Sequence, residues 1–131
     1  MMMQIKQLAK VTNVNAKTIR YYEDVGLLPK AKRGDNGYRY YQQRDVSSLN
    51  FIRRCKELRM PLSDIKRLVS LQNDDNAPCA EVDALINLQL EKIRVAQYEL
   101  QQLEKNLQTL ADSCSHKQIK NCEILNHLRT N

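Results

Sequence analysis

The 131-residue sequence contains no tryptophan, one phenylalanine (Phe51), three glycines and three prolines. So little Gly and Pro excludes collagen-like and low-complexity chains. No stretch approaches the ~20 consecutive apolar residues of a membrane span, so no membrane partner is expected. The start Met1-Met2-Met3-Gln4 does not read as a secretory signal, so a reducing, cytoplasmic setting is expected. There the four cysteines, at 55, 79, 114 and 122, read as thiols rather than disulfides. No Cys-x-x-Cys occurs and no polarised nucleophile stands beside a base, so an enzyme such as a thiol oxidoreductase is not expected. The length is about that of one domain, too short for a large enzyme core.

What the chain does have is charge, unevenly spread. Residues 1–70 carry 15 basic and 6 acidic side chains, net +9, and residues 71–131 carry 6 basic and 9 acidic, net −3. The basic half also holds five of the six tyrosines. One end is therefore expected to meet a polyanion.

Ile5, Leu8, Ala9 and Val11 predict one face of a short helix. Asn13 and Val14 interrupt it, and Asn15 is a suitable cap for a second helix from Ala16 to about Asp24, anchored by Ile19. Two short helices joined by a tight turn form a helix-turn-helix, whose second helix enters the major groove of double-stranded DNA. Its exposed positions, Lys17, Thr18, Arg20 and Tyr21, can donate to base edges or phosphates. Gly26-Leu27-Leu28-Pro29 ends that helix. Asn36-Gly37 then supplies a hairpin turn, followed by a β-leaning Tyr38, Arg39 and Tyr40. A small hairpin bearing Lys, Arg and Tyr beside a recognition helix makes a wing that grips phosphate through charge-assisted bonds.

Thr18-Ile19-Arg20-Tyr21-Tyr22-Glu23, followed by Gly26-Leu27-Leu28 and Asn36-Gly37-Tyr38-Arg39, resembles the MerR family of bacterial transcription regulators. Taken singly, Ile19 and Tyr22 read as packing residues. Two more helices fit between residues 44 and 71. The first carries Val46, Leu49, Phe51, Ile52, Cys55 and Leu58. The second opens after Pro61-Leu62, with Ser63 as its cap, and carries Ile65, Leu68, Val69 and Leu71. Cys55 reads as a core thiol. The resemblance implies that Arg53 and Arg54 add phosphate contacts from a second wing-like corner.

Beyond a polar break from Asn73 to Pro78, residues from about Cys79 to Asp112 include no Gly or Pro. Ile86, Leu90, Ile93, Gln97, Leu100, Leu107 and Ala111 alternate spacings of 4 and 3, broadened by Leu103 and Leu110. That is a coiled-coil seam, and so long a helix with one apolar face needs a partner. Homodimerisation is the economical answer and suits a reader of paired half-sites. Cys79 and Cys114 lie ~50 Å apart along one straight helix and cannot share an ion within a chain. An antiparallel pair crossing at Ala96–Gln97 brings Cys79 of one protomer beside Cys114 of the other. Cys114 to Cys122 closes a seven-residue loop, and a short helix from Glu123 to Leu128 could lid it. Cys114, Cys122 and Cys79 of the partner subunit then converge as three soft donors. His116 is the one candidate for a fourth ligand, and His127 reads as a bystander.

The placing of these thiols also resembles the divalent-metal branch of the MerR family. Pro78-Cys79-Ala80-Glu81-Val82-Asp83-Ala84-Leu85-Ile86 and Asn121-Cys122-Glu123-Ile124-Leu125 are most similar to its cadmium- and lead-responsive members. Copper(I) sensors of that family lack a cysteine at the position of Cys79. Its zinc sensors carry an additional cysteine where Ser115 stands, and its mercury sensors have a slightly longer loop. The resemblance thus implies a metal-responsive activator for cadmium(II) or lead(II), with zinc(II) and mercury(II) as the other candidates. It further implies a promoter distorted on metal binding, RNA polymerase as a partner, and metal-efflux genes as targets in heavy-metal resistance. A regulator switched by Cys114–Cys122 oxidation is the first alternative. A metal-buffering coiled coil is the second, though that role needs no basic, tyrosine-rich half.

The expected fold is all-α with a small β-hairpin wing: a winged helix-turn-helix head followed by a long antiparallel coiled-coil dimerisation helix. The expected domains are a DNA-binding head at 1–72, a linker and dimerisation helix at 73–112, and a metal-binding loop with a short C-terminal helix at 113–131.

Overall fold

The computed structural model describes residues 2–113 and 118–130. Six α-helices and one two-stranded antiparallel hairpin are found among these residues. The chain divides into two compact units, Met1–Leu85 and Ile86–Asn131.

In the first unit, α1 (Ile5–Thr12) opens on a reciprocal cap, the Gln4 amide donating to Gln7 Oε1 at 3.2 Å. Its buried face runs through Ile5, Leu8, Ala9 and Thr12, and Val11 is exposed, contrary to the sequence expectation. Positions 5, 8, 9 and 12 follow the helical repeat, while Val11 lies a further turn-fraction around. Thr12 is tolerated inside because its hydroxyl donates to the Leu8 carbonyl at 2.7 Å.

Asn13, in the left-handed conformation at φ 57°, turns the chain into α2 (Ala16–Asp24). Asn15 caps α2 as expected, its side-chain oxygen accepting from the Thr18 amide at 2.8 Å. At the far end Gly26 takes φ +79°, and the amides of Gly26 and Leu27 reach back to the carbonyls of Glu23 and Tyr22. That pairing satisfies two terminal carbonyls and delivers Leu27 and Leu28 into the core. Lys66 Nζ donates to the Val25 carbonyl at the same helix end.

The hairpin pairs β1 (Lys32–Arg33) with β2 (Arg39–Tyr40), in the register Lys32 to Tyr40 and Arg33 to Arg39. Tyr38 belongs to the turn rather than the strand, since its amide is taken by the Asn36 side chain at 3.1 Å. An isolated bridge between Met3 and Tyr41 fastens the base of the hairpin to the chain's start.

Helix α3 (Gln43–Glu57) buries Val46, Leu49, Ile52 and Cys55. Leu58, expected on that stripe, is exposed, and Met60 fills the place instead. Arg59 at φ 64° reverses the backbone so that the Met60 amide bonds back to the Cys55 carbonyl. Helix α4 (Leu62–Gln72) begins from Pro61, two residues before the expected cap, so that Ser63 lies inside the helix. The Pro61 carbonyl already accepts from Asp64 and Ile65, leaving Ser63 no capping place.

Leu8, Ile19, Leu49, Ile52 and Ile65 are fully buried at the centre of the unit. Each such burial contributes roughly 1.5–3 kcal/mol. Val82 and Leu85, at the start of α5 (Cys79–Ser113), pack against the same core. The second unit comprises the rest of α5, a single 3-10 turn at Ile119–Asn121, and α6 (Glu123–Arg129).

Candidate nucleic-acid interface and thiol positions

Asn15 sets the first turn of α2 so that Lys17, Arg20 and Tyr21 stand exposed along one side. Thr18 is half-buried beside them. Across a cleft of about 370 Å³, Arg20 faces the hairpin residues Arg33, Gly37, Tyr38 and Arg39, with Gln4 and Ile5 as the floor. Tyr38 is exposed at the hairpin tip. Arg33 donates to the Gly37 carbonyl at 3.0 Å, which keeps its guanidinium at the tip. The cleft therefore joins Arg20, Tyr38 and Arg39, all expected from the sequence, and adds Arg33. Its signal was the Lys30-Ala31-Lys32-Arg33 run ahead of the turn, but only the strand register shows that it sits opposite Arg39.

Arg39 is half-buried and faces inward as well, its Nη1 lying 3.9 Å from Glu23 Oε2. Glu23, on α2, is buried, and its Oε1 accepts the Tyr41 hydroxyl at 2.5 Å. Burial first, then this bond and the Glu23 charge, push the Tyr41 phenol above its ordinary value; the Arg39 and Arg20 charges oppose the shift. The sequence showed Glu23 only as part of a motif. An acid amid so many cations was the one hint of a buried partner.

On α3, Arg54 is exposed. Arg53 is half-buried, with Nη1 bonded to Glu57 at 2.8 Å and Nε unpartnered among the described residues. Arg53, Lys56 and Arg59 line a second hollow with Glu57, Met60 and Pro61. This corner is net basic, and Lys56 and Arg59 were not anticipated there. Cations line both hollows, the chemistry that a phosphate backbone calls for.

The thiols separate by environment. Cys55 is buried in the core, and burial pushes its thiol upward, as its helical stripe predicted. Cys79 is exposed at the first residue of α5. Cys122 is half-buried where the 3-10 turn passes into α6. Cys114 and His116 lie outside the described residues. Among the described residues no three His, Cys, Asp or Glu side chains gather as a metal-holding group. Near Cys79, Arg67 on α4 grips both oxygens of Glu81, at 2.7 and 2.9 Å. Along α5, Ile86, Leu90, Leu100 and Leu107 are exposed in the single chain, Ile93 is half-buried and Gln97 exposed. Among the described residues no helix is long and apolar enough to cross a membrane.

A recognition helix facing a basic wing across an arginine-lined cleft defines a winged helix-turn-helix reader of double-stranded DNA. The chain belongs to the MerR HTH family of regulatory proteins: the model of that family matches residues 3–72, and a MerR DNA-binding model matches residues 46–110. It is 36% identical over 129 residues to the mercuric resistance operon regulatory protein of Bacillus cereus, covering 98% of each chain. Among solved structures it resembles the transcription regulator PbrR691 from Ralstonia metallidurans CH34 in complex with lead(II), at 36% identity and TM-score 0.87, covering 96% of this chain and 98% of that one. It also resembles HiNmlR, a MerR family regulator bound to promoter DNA, at 25% identity and TM-score 0.61, covering 86% and 85%. The protein is accordingly a DNA-binding transcription regulator and not an enzyme, and the winged, mostly helical fold expected from the sequence is the one observed.

Proposed function

We propose that the protein is a homodimeric, metal-responsive activator of the reducing cytoplasm. It binds a promoter through Lys17, Thr18, Arg20, Tyr21, Tyr38, Arg39, Arg53 and Arg54. Its effector is a soft divalent cation, cadmium(II) or lead(II) before zinc(II) or mercury(II). The observation that carries this reading is Cys79, exposed at the first residue of a 35-residue helix. The lead(II) complex and the mercuric-resistance regulator among its relatives support it.

The seam Ile86, Leu90, Ile93, Gln97, Leu100 and Leu107 pairs antiparallel with its copy. Cys79 of one protomer thereby meets Cys114 and Cys122 of the other. Three thiolates suit a large, soft ion and leave a divalent one with net charge −1. Once bound, such an ion supplies a cross-link between protomers. The chain's own part is to turn that link into an angle between two DNA-binding heads, favouring whichever arrangement the thiols hold better. RNA polymerase then meets a promoter of altered geometry, upstream of genes for metal efflux.

Mixing a Cys79→Ser subunit with a Cys114→Ser/Cys122→Ser subunit is expected to restore one intact site per heterodimer. Thiolate-to-metal absorption would report it, and heterodimers that take up no metal would sink the shared site. Competitive titration of the reduced protein with cadmium(II), lead(II), zinc(II) and mercury(II) ranks the effectors.

A further inference from the structure

Glu23 is the one buried carboxylate of the head among the described residues, and it contacts Arg39, which lines the arginine-bearing cleft. Its side chain is 5% exposed, so its charge requires compensation from within the protein. One oxygen receives the Tyr41 hydroxyl and the other faces Arg39. These two partners sit at the wing's base and in its second strand, whereas Glu23 belongs to the recognition helix.

Beyond the packing of Tyr41 and Ala31 on the core, the wing has few contacts of its own to set its angle. Each strand has two residues, and among the described residues Met3–Tyr41 is the one backbone bridge between the hairpin's base and the rest of the head. A hairpin this small is marginal by itself. Reading DNA requires the wing to meet one phosphate while α2 meets bases, and looseness between them weakens binding.

We infer that Glu23 is a positioning residue for DNA binding: it touches no DNA, but through Tyr41 and Arg39 it fixes the wing against the recognition helix. The free protein is thus preorganised, with Arg39 aimed into the cleft by a carboxylate at its back. The inference goes beyond DNA binding itself, which the family match establishes, and does not depend on any metal.

The test is a double-mutant cycle on a duplex selected from a random-sequence pool by the wild-type protein. Glu23→Gln keeps an acceptor for Tyr41 but removes the charge facing Arg39. It is expected to weaken binding about 3- to 10-fold and to lower the salt slope by about one phosphate contact. Arg39→Ala should do the same, and the double variant should lose no more than Arg39→Ala alone. Wild-type affinity in Glu23→Gln, or losses that multiply in the double variant, would overturn the inference. If Glu23→Gln does not fold, Tyr41→Phe takes its place: it frees the wing's base but keeps the Glu23–Arg39 contact, so binding should weaken with the salt slope unchanged, and wild-type affinity would overturn the inference. Circular dichroism at the binding temperature separates lost positioning from lost fold.

Discussion

Tyr41 shows how one side chain couples the wing's position to the stability of the head. Its phenol titrates above the ordinary 10.0 because it is buried and bonded to Glu23. The folded state therefore favours the neutral form. That contribution is complete below pH 10 and is lost as pH rises from there toward the folded-state value. Urea denaturation across pH 8 to 11 should show stability falling above pH 10 by up to about 1.4 kcal/mol per unit for this group. Tyr22, also raised by burial, adds to the slope. Tyr41→Phe should flatten the profile relative to wild type, and an unchanged profile would mean that Tyr41 ionises freely. At Gly34 an added Cβ would collide with Cε2 of the Tyr40 ring. Gly34→Ala should therefore cost about 1–3 kcal/mol by thermal or denaturant unfolding unless the ring swings away. Neither constraint was legible in the sequence. Both depend on what residues just outside the two-residue strands meet in the folded head. Thr12 was missed because its hydroxyl is satisfied by its own helix, and Met60 because Arg59 bends the backbone in a way expected of glycine.

At the scale of elements, periodicity carried further. The span of α5 was legible because no Gly or Pro interrupts it, and α2 because Asn15 and Gly26 punctuate it. The cleft was legible in its parts, Arg20 and the wing, but not in its closure by Arg33, which follows from strand register. Leu100 and Leu107 are more than half exposed in the single chain, which is costly for apolar side chains spaced seven apart on one helix. Leu100→Glu should shift the proposed dimer to monomer in sedimentation at micromolar concentration, while the head's helices keep their circular dichroism. A dimer undisturbed by this change would move the interface away from the seam.

For the whole molecule, the 1–70 and 71–131 segments carry opposite net charge, +9 and −3. Affinity for the selected duplex should fall steeply between 50 and 200 mM salt, and Arg20→Ala should weaken it without changing metal stoichiometry. A variant that footprints normally would remove Arg20 from the reading set. The polarity of the chain was plain from composition, yet composition does not say where one body stops. Gln72 ends α4, but Val82 and Leu85 still pack on the head's core, and Arg67 still grips Glu81.

That continuation limits how regulators of this kind can be recombined. A chimera joined near residue 72 would strip Val82 and Leu85 from their packing and cut the Arg67–Glu81 pair. A junction after Leu85 leaves both intact. A head transplanted at that junction carries Cys79 with it. Operator choice and one of the three proposed metal ligands are thus inherited together, and only the other two travel with the rod and loop.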